Sequence, residues 1–166
     1  MLLTWELSSN IENSLIEFLR NEVTTHSLQL LDSNGVAKTV NVYAGRELGN
    51  WNLPLIQIYL DQKPDANRLE IGSNKRLRSF QVIIDIRTLL PGQETNLADW
   101  VETEINNGIT IYDYTPNPSN PEAPTKVVLG HRRVDFITSL PVPSYDDADV
   151  YDKNRYRISA KIWING

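Results

Sequence analysis

Two histidines, scattered carboxylates and a small basic cluster are the residues of this 166-residue chain with chemistry to offer. His26 and His131 have no histidine or cysteine partner at ligand spacing, so neither is expected to hold a metal, and both are expected in surface or loop positions. The chain has no cysteine, which excludes disulfides, thiolate ligands and a cysteine nucleophile and suits a reducing cytosol. Asp146, Asp147, Asp149 and Asp152 form the densest carboxylate run. A calcium loop of the helix–loop–helix kind needs a glycine at its bend and a terminal glutamate, and both are missing, so a solvated acidic loop is expected. Asp85 resembles the strand carboxylate of a metal-dependent nuclease, but no strand supplies the partner carboxylate-x-lysine pattern. It is expected to face outward. No glycine-rich phosphate loop and no serine nucleophile elbow occur. Trp51, Trp100 and Trp163 are expected in core or interface, and Arg68, Lys75, Arg76 and Arg78 as solvated strand-end charges. No catalytic, cofactor-binding or metal-binding residue is assigned, and an enzyme is not expected.

The formal charge of −5 argues against general affinity for nucleic acid, which is mostly cationic neutralisation of phosphates. No apolar run approaches the roughly 20 residues that cross a bilayer. Leu2, Leu3, Trp5 and Leu7 form a short apolar start without the basic flank of a signal peptide, so neither a membrane span nor export is expected. This start reads either as an arm toward a neighbouring subunit or as a hydrophobic lead-in.

The elements that must position these residues centre on 78–111. Phe80, Val82, Ile84 and Ile86 alternate with Gln81, Ile83, Asp85 and Arg87, which places one apolar face of a strand against a core. Pro91 and Gly92 break that strand. A helix follows, with Leu97, Trp100, Val101 and Ile105 on one face, Thr95 or Asn96 at its start and Gly108 closing its end. An earlier helix is expected over 11–23, opened by a capping box at Ser9 and Glu12, with Ile11, Leu15, Phe18, Leu19 and Val23 inward.

Between them, 27–31 and 39–43 read as a hairpin turning at Asp32, Ser33, Asn34 and Gly35. After a loop over 46–52, a strand over 53–60 begins at Pro54, a polar turn is expected over 61–67, and 68–74 is short and strand-like. Beyond the second helix, 109–114 is a strand. Residues 115–125 hold four prolines and read as a long extended loop within one domain. A strand over 127–137, with Gly130 at a bulge or bend, precedes an extended stretch over 140–143 and a terminal strand whose Tyr156, Ile158, Ala160, Ile162 and Ile164 share a face. The reading is a single α+β domain over 1–166, with a mixed, largely antiparallel sheet carrying two amphipathic helices.

The order of these pieces resembles the tail terminator proteins of long-tailed bacteriophages, also called tail completion or neck proteins. The resemblance is carried by the helix over 11–23, the strand over 55–60 after Pro54, the strand over 78–86, the helix holding Leu97, Ala98, Asp99, Trp100 and Val101, and the terminal 155–160. It covers most of the chain and rests on arrangement rather than on a signature motif. It implies a structural virion protein, assembled in the host cytoplasm and located at the tail or neck. Its subunits would form a homohexameric ring that ends tail-tube polymerisation and joins the tail to the head. The implied partners are further copies of the chain, the tail tube protein and a head–tail connector or stopper. DNA would pass through the lumen without specific binding, and neither a cofactor nor a membrane is implied. The excursion over 115–125 is long for a bare ring subunit. The alternatives are another phage neck or head–tail joining component, or an unrelated α+β domain binding a small ligand in a sheet groove.

Overall fold

The computed structural model describes residues 4–45, 51–68, 76–120, 122–143 and 153–165. Along the chain lie α1 (Thr4–Thr25), β1 (Gln29–Leu31), β2 (Ala37–Thr39), β3 (Asn41–Ala44), β4 (Leu55–Arg68), β5 (Arg76–Arg87), α2 (Gln93–Ile105), β6 (Ile109–Thr115), β7 (Thr125–Arg132), β8 (Val134–Val142) and β9 (Arg155–Asn165). The main sheet has five strands in the order β3-β4-β5-β9-β8. Only β3 and β4 run parallel in it; the other neighbours are antiparallel. Two antiparallel ribbons, β1–β2 and β6–β7, complete an α+β fold with the mixed, largely antiparallel sheet expected from the pattern.

The alternation in β5 has the predicted consequence. Phe80, Val82, Ile84 and Ile86 are buried, and their cross-strand partners Ile56, Ile58, Ile158, Ala160 and Ile162 are buried on the same face. Ile11, Leu15, Leu19 and Val23 of α1 and Leu97, Val101 and Ile105 of α2 close over them in one contiguous cluster. Phe18 and Trp100, expected inside, are half-buried at its margin. Gly108 ends α2 as expected. Its φ is +83°, and an added Cβ would stand 2.4 Å from the Arg132 carbonyl oxygen, so both the backbone and the space demand glycine.

Several boundaries differ from the sequence reading, each for a physical reason. The helix expected from residue 11 begins at Thr4, so Ser9 and Glu12 lie inside it and no capping box forms. Trp5 and Leu7 are helical rather than an arm, and Leu2 and Leu3 lie outside the described residues. At α2 the N-cap is Gly92, with no side-chain cap, and Thr95 and Asn96 fall within the helix. The Gln93 side-chain oxygen Oε1 instead accepts from the Leu90 N–H at 3.2 Å.

The polar turn expected over 61–67 is strand. The ladder slips between Asp61 and Asp65, a bulge containing Pro64, which has no N–H to give to a ladder. The stretch over 127–137 is two strands with different partners, since β7 pairs with β6 and β8 with β9. Gly130 does sit at a bulge, with φ +135° and a register shift beside Ile111. The second arm of the first hairpin also divides, β2 pairing with β1 and β3 joining the main sheet.

The proline-rich stretch is the expected loop between two strands of the domain, but it is folded by turns into a hairpin tip rather than extended. Thr115 pairs with Thr125, and between them Asn120 N–H donates to Asn117 O at 3.1 Å and Ala123 N–H to Asn120 O at 3.0 Å. Pro121 and the stretches 46–50, 69–75 and 144–152, the last holding the acidic loop expected around Asp146, Asp147, Asp149 and Asp152, lie outside the described residues.

Polar residues that resemble a helix start have a tertiary task. Asn10 and Ser14 are one helical turn apart and buried, facing the edge of β6. The Ser14 hydroxyl oxygen accepts from Tyr112 N–H at 2.9 Å, and the Asn10 carbonyl oxygen accepts from Tyr114 N–H at 3.3 Å. The Asn10 amide donates to Asp113 Oδ1 at 3.0 Å, and the Ser14 hydroxyl donates back to the Asn10 main-chain carbonyl at 2.6 Å. On the other flank Arg20 Nε and Nη2 donate to the Val42 carbonyl of β3 at 3.0 and 2.8 Å. Removing an acceptor from a buried amide leaves its desolvation uncompensated, at about 1–3 kcal/mol. Ser14→Ala and Asn10→Ala are therefore expected each to lower the unfolding free energy by about that amount in denaturant titrations. Asn10→Ala keeps the main-chain carbonyl that accepts from the Ser14 hydroxyl, and the two side chains serve different amides, so the double variant should lose about the sum of the two.

Candidate functional site

Among the described residues the second face of the main sheet carries no helix, and its middle is polar yet buried. Period-2 alternation that turns Ile84 and Ile86 to the core turns Asp85 and Arg87 the other way. The register then aligns Gln57, Asp85 and Arg157 across three strands, with Leu55, Arg87 and Arg155 in the next row. Asp85 is 2% exposed, so it does not face outward into solvent as expected from sequence. Arg157 grips it through Nε to Oδ1 at 2.7 Å and Nη2 to Oδ2 at 3.0 Å, while Arg155 Nη2 reaches Oδ2 at 2.6 Å. The Tyr59 hydroxyl donates to Oδ2 at 3.3 Å and accepts from Arg157 Nη2 at 3.1 Å. Beside this group Arg87 donates to Gln57 Oε1 at 3.2 Å and lies 5.4 Å from the Trp51 ring centroid. Further along, Trp163 donates to Asp135 at 3.0 Å, and Lys161 lies over its ring.

The electrostatics fix what this layer does. Burial pushes the Asp85 carboxyl up, but hydrogen bonds and charge from Arg157 and Arg155 outweigh that and hold it below the ordinary aspartate value. Burial and the neighbouring Asp85 charge push the Tyr59 phenol above its usual value. Both Asp85 oxygens are engaged by guanidinium groups, which repel a cation. The nuclease-like role weighed for Asp85 therefore has no support here. Among the described residues the layer is a charged network in which each Asp85 oxygen already has a guanidinium partner.

The remaining candidates are dispersed among the described residues. Arg68 and Arg76 are cross-strand neighbours at the far end of the β4–β5 hairpin, and Arg78 pairs with Ala66 nearby, matching the expected strand-end position; Lys75 lies outside the described residues. His131 is structural, its Nε2–H donating to the Asn107 carbonyl at 2.8 Å and its Nδ1 meeting the Thr110 hydroxyl at 3.4 Å. Trp100 lies edge-on to His26, and the fold brings Glu22 and Glu104 to the same imidazole. A cleft of about 530 Å³ beside Trp51 is lined by Asp32, Lys38, Asn41, Asn52 and Leu89 among others. Its polar groups are already engaged: Asp32 accepts from the Asn34 and Val36 N–H groups, and Asn41 donates to the Asn52 carbonyl.

Sequence reasoning missed Tyr59, Arg155 and Arg157 as partners of Asp85. The available signal was the Arg155-x-Arg157 spacing, which puts two cations on one face of the terminal strand.

Replacing Asp85 by asparagine leaves the Arg155 side chain, 20% exposed, and that of Arg157, 41% exposed, without their counter-charge. The expected loss is about 1–2 kcal/mol of unfolding free energy, less than for a fully buried pair because solvent screens the charges left behind. Because folding lowers the carboxyl's pKa, its contribution is complete above the unfolded value near 4 and is lost as pH falls through the lower folded value. Asp85→Asn should therefore also flatten the acid limb of stability below about pH 4. An unchanged melting temperature and acid limb would show that the cluster contributes nothing.

No family model and no curated protein matches the chain.

Proposed function

We propose that the chain is a structural subunit that assembles with copies of itself, as the likeness to phage tail terminators implies, and that it is not an enzyme. In this reading a ring, six-membered by that likeness, caps a tail tube at the virion neck and offers the head connector a docking surface. The observation that supports it best is the distribution of strand edges. Among the described residues β7 and β8 each pair on one side only, and they carry exposed Val127, Val128, Ile137 and Leu140. Long, apolar, unpaired edges invite pairing with another chain unless they are covered. The Asp85 cluster, with both carboxylate oxygens engaged by guanidinium groups, supports the same reading.

In the assembled ring the exposed edges meet the next subunit. Val128→Lys and Ile137→Lys are expected to leave the melting temperature nearly unchanged, as surface substitutions do. Both should lower the assembled fraction in sedimentation at matched concentration. Unchanged assembly in both variants would remove these edges from the interface.

Charge bears on the lumen. Six copies at −5 each give a ring of −30. Acidic walls repel a passing duplex, whereas basic walls would hold it. Carboxylates should outnumber lysine and arginine on the lumen surface, with Arg68, Lys75, Arg76 and Arg78 directed elsewhere. Duplex DNA should not be retarded by the protein at physiological salt; retardation there would favour a DNA-gripping neck component instead.

A further inference from the structure

The C-terminal turns of α1 and α2 meet at a corner of the core, anchored by buried Val23 and Ile105. Glu22 and His26 stand one helical turn apart at the end of α1, and Glu104 arrives from α2. His26 Nε2 lies 3.3 Å from Glu22 Oε2 and 3.7 Å from Glu104 Oε1. All three candidate ligand atoms lie within 4.8 Å of one another. A tetrahedral ion with bonds of about 2.0–2.1 Å to nitrogen and oxygen sets its ligand atoms roughly 3.3–3.4 Å apart. Two of the spacings are therefore already close to those of a ligated ion.

The surroundings suit such an ion. Trp100 stands edge-on to the imidazole, with centroids 6.4 Å apart and planes at 81°. The His26 side chain is 49% exposed and those of the glutamates 26% and 21%, so an ion can enter from solvent while the carboxylates stay partly sheltered. Two carboxylates balance a divalent charge, and the imidazole selects zinc, cobalt or nickel over calcium and magnesium. An i,i+4 ion pair alone accounts for Glu22 and His26 but not for the third group from a different helix. Searching the sequence for a second histidine or cysteine could not reveal this set, because Glu104 is distant in the chain.

We propose that Glu22, His26 and Glu104 form a binding site for a divalent transition-series cation such as zinc, leaving a coordination position toward solvent and clamping α2 to the end of α1. The test uses the full chain without a histidine tag, freed of metal by chelator and titrated with zinc in a calorimeter and in thermal melts. One ion per chain should bind saturably and raise the melting temperature, reversibly on adding EDTA, because a ligand of the folded state stabilises it by mass action. Cobalt should bind at the same site and quench the emission of the adjacent Trp100. His26→Ala and Glu104→Gln should each weaken zinc binding about tenfold or more, since loss of even an outer-shell partner has effects of that size. His131→Ala should leave it unchanged. Absence of saturable zinc binding, or equal affinity in His26→Ala and the native chain, overturns the proposal.

Discussion

The amides of Tyr112 and Tyr114 lie beneath a helix, where no strand accepts from them, and buried amides must find acceptors. Ser14 and Asn10 supply those acceptors from one turn of α1, and much of the fold follows from that match. It fixes the rotation of α1, which in turn sets Ile11, Leu15 and Leu19 into the core. It joins the β6–β7 ribbon to the rest of the molecule without a continuous ladder. Tyr114 and Lys126 extend the seam by meeting Glu17 on the same helix. Arg20 performs the complementary task on the other flank, donating to a β3 carbonyl. One helix thus substitutes for a neighbouring strand at parts of two sheet edges. Among the described residues the edges of β7 and β8 are not covered in this way, which is why the proposed assembly is placed there.

The two faces of the main sheet divide the remaining work. The apolar face supplies stability through close-packed burial of aliphatic side chains from five strands and two helices. The other face carries Asp85 held by Arg155 and Arg157, with Tyr59, Gln57 and Arg87 completing the network. A buried charge with all its partners present constrains register more than it adds stability, because desolvation offsets most of the Coulombic gain. In β5 and β9 a slip of one residue would place Asp85 on the apolar side. The cluster therefore favours one alignment of the three central strands.

The sequence was most readable where local physics decides. Strict alternation marked β5 and β9, Pro54 marked the start of β4, and the turn residues at Gly108 and Gly130 were found where backbone geometry requires them. It misled where a polar residue serves a distant partner. Ser9 and Glu12 have the spacing of a capping box, yet α1 runs through them because its neighbouring polar residues answer to β6. The charged stretch around Pro64 has turn composition, but pairing with β5 overrides it on both sides of a bulge. The partners within the Asp85 cluster and within the Glu22, His26 and Glu104 set were not legible for the same reason, since only strand register or helix packing brings them together, although the Arg155-x-Arg157 spacing did mark two cations on one face.

Self-assembly into a closed ring that seats on a tail tube is the central claim, and electron microscopy of the protein mixed with tubes of the same virus tests it most directly. The account predicts sixfold ring density at one end of the tubes, one ring thick, with tubes no longer extending from that end. Tubes with bare ends that continue to grow, beside a protein that remains a single subunit at the highest concentrations, would contradict it.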